Sequence, residues 1–516
     1  MNQVKPSHRG IVAAGHHETA QAALEALSQG GNAFDAALAA MLTACVAEPV
    51  LASVGGGGFL TARPQNQTPR VYDFFAHTPR HKQPGEALDF YPIEANFGTT
   101  RQTFHIGLGA MATPGFVSGL FAIHRDLCRL PLSDLFQPAI DRARHGVVIN
   151  PFQHLISQIV EPILLASPAA RALNTIPDNP HGLIHEGACH RQPQFADFLD
   201  TLRREGEAFF YEGEPARHLL RDCRHSGGQL SRDDLSRYRV EVRTPLTFQY
   251  RSARFITNPL PSLGGTLIAF ALGLLASRRG TAGAPSSETE LRQLARATCA
   301  TQIARSEHHH RLAQLLDPDT AAEYQKLMQQ GGCSTRGTTQ ISIADNQGNL
   351  ASLTLSNGEG CGYVIPDTGI MMNNMLGEED LNPGGFHGWT ENRRLLSMMA
   401  PSMIISGEGE ALVTGSGGSN RIRSAILQVI LNHLDHRLSL QDAVSHPRIH
   451  FEDRLLSIEP GIDPEICHRL EDEFPQQQQW QSKSLFFGGA HSVQVDQQGC
   501  LQGAADDRRG GVCLML

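Results

Sequence analysis

Residues 33–46, AFDAALAAMLTACV, put an apolar side chain on nearly every face of a helix. Such a helix has no face to offer water, so it must be buried and the rest of the chain must be layered around it. Asn32 is its expected N-cap, and Pro49 lies just past its end. A first helix, Thr19 to Gln29, stops at Gly30-Gly31 immediately before it. At 516 residues the chain exceeds a single core of about 250–300 residues. Two lobes or one large layered unit are therefore expected. An apolar fraction of 41% and a charged fraction of 18% exclude a disordered or fibrous chain.

Charge narrows the partners. The formal net charge is -9, and only four of the 43 cations are Lys. With no run of basic residues, neither nucleic acid nor a membrane surface is an expected partner. No stretch approaches about 18 consecutive apolar residues, so no transmembrane helix is expected. The opening MNQVKPSHRG lacks the apolar core of a secretory signal. Ten cysteines are scattered without a CxxC. They read as reduced thiols, which makes the cytoplasm the expected compartment.

Between about 115 and 275 the pattern is helical with short strands. Ser231 starts a helix over Asp233 to Tyr238, and Asn258 to Gly265 is a rigid turn before an apolar helix, Thr266 to Ala276. Residues 277–287 read as a surface loop. A polar helix from Leu291 to Leu316 carries His308-His309-His310. Adjacent residues on a helix point in different directions, so the three cannot face one metal, and no metal is expected. At Thr338 the period changes to two. Gln340 to Asp345 and Leu350 to Ser356 alternate on either side of the turn Asn346-Gln-Gly-Asn349, which predicts a β-hairpin. Strand-like pieces at 411–414 and 490–495 flank a helix over Ile422 to Leu434. A helical first part and a mixed second part suit an α/β layered protein.

No HExxH, GxSxG or Walker motif is present, and Gly55 to Gly58 lack the spacing of a nucleotide loop, so no cofactor is expected. Two segments could carry chemistry. In Gly332-Cys-Ser-Thr-Arg-Gly-Thr338-Thr339 a Thr pair stands where a turn-rich linker enters a strand. If the bond before Thr338 were cut, the new α-amine, with an ordinary pKa of about 7.7–8.0, could serve as base to the hydroxyl of the same residue. The plain alternative is β-propensity. In Thr414-Gly-Ser-Gly417-Gly418-Ser-Asn420, glycine N–H groups open onto a helix N-terminus and could stabilise an oxyanion. The plain alternative is a strand-to-helix turn.

These segments, with others in the same order, resemble the gamma-glutamyltransferase family of N-terminal-nucleophile hydrolases. The likeness includes Gly31-Asn-Ala-Phe-Asp-Ala-Ala, Val54-Gly-Gly-Gly-Gly-Phe, Thr113-Pro-Gly, Ala143-Arg-His-Gly, Phe210-Tyr-Glu-Gly, Asp234-Leu-Ser-Arg-Tyr and Pro261-Ser-Leu-Gly-Gly. It continues through Thr338-Thr339, Asp345-Asn-Gln-Gly-Asn, Gly369-Ile-Met-Met-Asn-Asn, Ser397-Met-Met-Ala-Pro and Thr414-Gly-Ser-Gly-Gly. The resemblance implies a four-layer αββα sandwich. It also implies a precursor cut between Gly337 and Thr338, whose fragments, 1–337 and 338–516, stay together as a heterodimer. Thr338 would be the nucleophile, Ser356 the second hydroxyl beside it, and Gly417-Gly418 the oxyanion hole. Asn357, Asn374, Glu378 and Ser397 would contact the substrate, a small amide whose acyl group passes to water or an amine.

The pattern is broken where this family holds a glutamyl donor. An Asp-x-Arg-Glu-x-Ala-Pro segment supplies its carboxylate clamp; here it reads Asp73-Phe-Phe75-Ala-His77-Thr-Pro79, with Phe75 in place of the Arg. A phenyl ring cannot replace a bidentate guanidinium. Met375 replaces a Gln, Met398 replaces a second Ser, and two residues are missing between Ser356 and Gly369. His77, Arg80 and His81 are the cations nearest in sequence that could substitute. The expectation is a self-processing amidohydrolase or acyltransferase acting on a gamma-glutamyl or related small amide. The alternatives are a relative with a non-glutamyl donor, or an unprocessed, silent binding protein.

Overall fold

The computed structural model describes residues 8–96, 101–176, 179–276, 283–307, 315–316, 337–382, 384–452 and 454–516. The chain opens with strand β1 (Gly10–Ala14), helix α1 (His17–Ser28) and helix α2 (Ala33–Ala47). Every residue of α2 is buried. Its start is fixed by a capping box: the Asn32 side chain accepts from the Phe34 and Asp35 amides, and Asp35 accepts from the Asn32 amide. The Asp35 carboxylate is affordable in the core because it also receives the amides of Arg129 and Leu130, each at 2.9 Å.

Strands β2 (Gly57–Arg63), β3 (Arg70–Asp73) and β4 (Glu241–Arg243) follow, then β5 (Leu246–Tyr250), β6 (Ala253–Thr257), α3 (Leu263–Ala276) and α4 (Glu288–Glu307). The second part supplies β7 (Thr339–Asp345), β8 (Leu350–Ser356), β9 (Ser402–Ser406), β10 (Ala411–Thr414), α5 (Arg421–Leu434), β11 (Ser492–Val495), β12 (Leu501–Ala504) and β13 (Val512–Met515). The expected hairpin is present as β7–β8, with Thr339 opposite Leu355. Helix α3 begins three residues before the expected Thr266. Helix α4 runs from Glu288 rather than Leu291, and His308-His309-His310 lie outside the described residues.

Two antiparallel sheets form the centre. One has the order β4-β3-β2-β8-β7-β1-β13 and the other β5-β6-β9-β10-β11-β12. Ile11, Ala13, Ala344 and Leu350 of the first meet Ile256, Met403, Val413 and Val493 of the second in one apolar cluster. On the outer face of the first sheet, Ile341, Ile343, Leu353 and Leu355 pack with α1 and α2. On the outer face of the second, Phe255, Ile404 and Leu412 pack with α3, α4 and α5. Helix, sheet, sheet and helix therefore stack as a four-layer αββα sandwich.

Both sheets draw strands from both sides of Gly337, so 1–337 and 338–516 are interleaved in one body. The termini meet at the sheet edge: the Arg9 amide donates to the Leu516 carbonyl at 2.6 Å, and the Leu516 amide to Gly10 O at 3.0 Å. All of β7 and β8 is buried. Two of their polar residues, Ser342 and Ser352, face the second sheet. Ser342 donates to His491 O at 2.8 Å, Ser352 to Thr414 O at 2.9 Å, and Gln340 to both serine hydroxyls. Among the described residues, no helix is long and apolar enough to cross a membrane.

Candidate active site

Thr338 directly precedes β7, and the antiparallel register brings Ser356, the last residue of β8, beside it. Two hydroxyls converge on one carbonyl. Thr338 Oγ1 donates to Gly337 O at 2.7 Å, and Ser356 Oγ donates to the same oxygen at 3.0 Å. The Ser356 hydroxyl is oriented by the Gly358 amide, which donates to it at 3.1 Å. The Gly337 amide donates to Glu359 Oε1 at 2.7 Å, and the Glu359 amide to Asn374 Oδ1 at 3.0 Å. The peptide bond before Thr338 thus lies next to a nucleophilic oxygen, with a donor already on the oxygen that would become negative.

Gly417 closes the other side. A Cβ there would stand 2.0 Å from the Thr338 carbonyl oxygen, a separation no side chain could occupy. Gly418 has φ +115, a region that favours glycine. Both precede the N-terminus of α5, as the sequence pattern required.

Beneath β7 lies a carboxyl the sequence reading missed. Glu48 ends α2 with no solvent exposure. It accepts from Thr19 Oγ1 at 2.8 Å and from Thr339 Oγ1 at 2.7 Å. Burial pushes its pKa up to about 7, against the opposing pull of these two hydroxyls. Its only sequence signal is an acid closing an otherwise apolar helix. The raised value means that folding favours the protonated form. Stability is then full below an ordinary carboxyl pKa and is lost as pH rises through about 7. Glu48→Gln keeps both hydrogen bonds without the charge. It is expected to remove a loss of about 3 kcal/mol between pH 5 and pH 8.5, read as denaturant midpoints at the two pH values. An unchanged pH dependence of stability would contradict this.

The cavity at Thr338 is lined by Gly337, Ser356, Phe75, Glu378, Asp380, Leu381, Ser397, Met398, Met399, Ser419 and Ile422. With the chain intact it offers about 30 Å³, space for about one or two waters and no acyl chain. No cation is among the described lining residues. Phe75 is buried, stacked on Phe59 at 5.5 Å. Its carbonyl accepts from Tyr238 OH at 2.7 Å and from the Arg394 guanidinium behind it. His77, Arg80 and His81 do not line the cavity: His77 bonds to Thr78 O, and the Arg80 amide bonds to Asp234. Asp380 is paired with Arg305 at 3.5 Å and accepts from Ser419.

Of the expected substrate contacts, Glu378 and Ser397 reach the cavity. Asn357 and Asn374 are buried behind its wall, where Asn357 donates to Met371 O at 3.4 Å and Asn374 holds the Glu359 amide. Met375 is likewise a core residue, whereas Met398 lines the cavity.

The family model described as Gamma-glutamyltranspeptidase matches residues 19–516. The chain is 30% identical to the acylase ACY 1 proenzyme of Pseudomonas sp. (strain V22), covering 98% of this chain and 93% of that protein. It is 27% identical to the glutathione hydrolase proenzyme of Escherichia coli (strain K12), covering 97% and 90%. Among solved structures, cephalosporin acylase from Bacillus halodurans superposes with a TM-score of 0.86 at 22% identity, over 99% of this chain and 96% of that one, a likeness of fold. The family model spans nearly the whole chain and the acylase proenzyme matches it nearly end to end, so the chain belongs to the gamma-glutamyltranspeptidase family.

Proposed function

We propose that the protein cuts itself between Gly337 and Thr338, and then deacylates small amides whose acyl group carries no α-carboxylate. The observation that carries the donor assignment is Phe75, standing in a described cavity wall without a cation. The two converging hydroxyls support the self-cleavage. In the first step Thr338 Oγ1 attacks the Gly337 carbonyl carbon, and the peptide nitrogen leaves as the Thr338 amine. Water then hydrolyses the resulting ester, releasing a Gly337 carboxylate. In turnover the freed amine takes the Oγ1 proton as that oxygen attacks the substrate amide, and hands it to the departing amine. The acyl ester passes to water or an amine acceptor. Ser356 and the Gly417-Gly418 pair stabilise the two oxyanions.

The freed Gly337 end must swing out of the cavity it lines, so donor binding follows the cut. Glu378 is the carboxyl suited to a donor ammonium. The fragments 1–337 and 338–516 remain a heterodimer through the interleaved strands. The scattered cysteines support a cytoplasmic site of action, which cell fractionation would test.

Ser356→Ala is expected to slow self-cleavage and turnover about 10²-fold or more, as for other removed oxyanion donors. The rates are read from band conversion and initial velocity. The donor assignment is tested with two p-nitroanilides that differ only in the α-carboxylate, L-γ-glutamyl and 4-aminobutyryl. The 4-aminobutyryl compound should have the higher kcat/KM by at least about tenfold, because the glutamyl carboxylate would be buried without a partner. A preference for the γ-glutamyl compound would overturn the assignment.

A further inference from the structure

Arg509 lies at the end of a tight turn, Asp507–Arg509, whose start is capped by the Asp506 carboxylate. The turn is anchored from below by Arg508, which pairs with Glu459 at 2.5 Å and with Asp506 at 3.1 Å. Arg448 adds a second pair to Asp506 at 2.7 Å. From this base the Arg509 side chain threads between three glycines. A Cβ on Gly489 would stand 2.5 Å from its Cδ, and one on Gly418 would stand 2.9 Å from Nη2. One on Gly417 would stand 3.1 Å from Nη1. The guanidinium ends on two carbonyls, Thr338 O at 3.3 Å and Leu485 O at 3.2 Å. Among the described residues no carboxylate pairs with it directly. A cation has therefore been led through a channel only glycines allow, onto the backbone of the residue that carries the expected nucleophile.

We propose that Arg509 is a positioning residue that keeps the Thr338 α-amine of the cut enzyme unprotonated at neutral pH. The inference rests on the proposed self-cleavage, which creates that amine. An ordinary α-amine, with a pKa of about 7.7–8.0, is largely protonated at pH 7 and cannot take the hydroxyl proton. A fixed positive charge on the carbonyl of the same residue disfavours the ammonium.

Most opposing charges are engaged elsewhere. Glu359 accepts from the Gly337 amide before the cut, and its charge acts on Arg509, the cation that offsets it once Gly337 departs. Asp380 is paired with Arg305, and Asp506 with Arg448 and Arg508. Glu48 is screened by the Thr339 hydroxyl, and its carboxyl is half protonated near neutrality. Glu378, across the cavity, is the donor-facing carboxyl. On the cation side, Arg421 faces Arg509, and burial followed by that like charge lowers Arg509 to about 10, so it stays charged at pH 7.

The test uses the full chain, with the cut first confirmed by intact mass. In the wild type, the acidic limb of kcat/KM should fall below about pH 7.7, and cyanate carbamoylation of Thr338, followed by mass on the small fragment, should titrate with it. Arg509→Lys should keep the limb within a few tenths of a unit, and Arg509→Gln should raise it by about one unit. A purely bracing role would lower kcat without moving the limb, and that result overturns the inference. So does a wild-type amine titrating at or above the ordinary range, a measurement that needs no variant. An uncut wild-type chain overturns the proposed function and this inference with it, whereas a cut chain with an ordinary amine overturns this inference alone.

Discussion

Thr338→Ala is expected to give a single uncut chain of 56.2 kDa and to lower amide turnover at least about 10⁴-fold. Both losses have one cause. The change removes Oγ1, 2.7 Å from Gly337 O, together with the Cγ2 methyl, and Oγ1 is the proposed nucleophile for the cut and for the substrate alike. The fold should survive, because that hydroxyl bonds only across its own peptide and β7 starts one residue later. Thr338→Ser separates the two effects of the change. It keeps the oxygen and should still cut itself and turn over, at a reduced rate. Intact mass and initial velocity on the same samples decide the matter. A Thr338→Ala protein that is cut and active would remove Thr338 from the mechanism.

The second large effect is expected from one added methyl group. Gly417→Ala brings a carbon to 2.0 Å from the Thr338 carbonyl oxygen and to 3.1 Å from Arg509 Nη1. Neither neighbour can yield. Thr338 is tied to the start of a central strand, and Arg509 is confined by Gly418 and Gly489. The loop before α5 must move instead, and the environment of the Thr338 carbonyl moves with it. An uncut or barely cut chain is expected, with turnover down about 10³-fold or more. Gly407→Ala is the control, since its nearest contact is 3.9 Å away and its backbone needs no positive φ. Wild-type processing and rate in Gly417→Ala would show that the glycine pair is an ordinary strand-to-helix turn.

Local order in the sequence was readable where one residue type dominates. Helix α2 is apolar throughout and buried throughout, and the β7–β8 turn carries its own Asn and Gly signals. The alternation of β7 and β8 was readable, but not what it faces. Polar positions of a strand usually meet water; here Ser342 and Ser352 bond across to His491 and Thr414 on the second sheet's side, and Gln340 ties the two serines together. The candidate site divides in the same way. Thr338, Ser356, Glu378, Ser397 and the glycine pair stand in short motifs, and the fold brings them together. Glu48 and Arg509 are single charges whose partners at the site, Thr339 and Thr338, lie 291 and 171 residues away, so their sequence neighbourhoods do not place them there. Phe75 was visible as a replaced cation, whereas Arg394, which grips its carbonyl from behind, was not.

The meeting of Arg9 with Leu516 at the sheet edge bears on the proposed self-cleavage. In chain order β1 and β2 precede the β7–β8 hairpin that pairs between them, so Thr338 stands mid-chain at the head of a central strand. A circular permutant, begun at Thr338, joined by a short linker from Leu516 to His8 and ended at Gly337, keeps every strand pairing. Under the proposed function its Thr338 amine is then exposed by loss of an added initiator methionine alone, with no cut needed. On that reading the proposed self-scission answers to the order in which the strands are threaded, and not to the chemistry that follows.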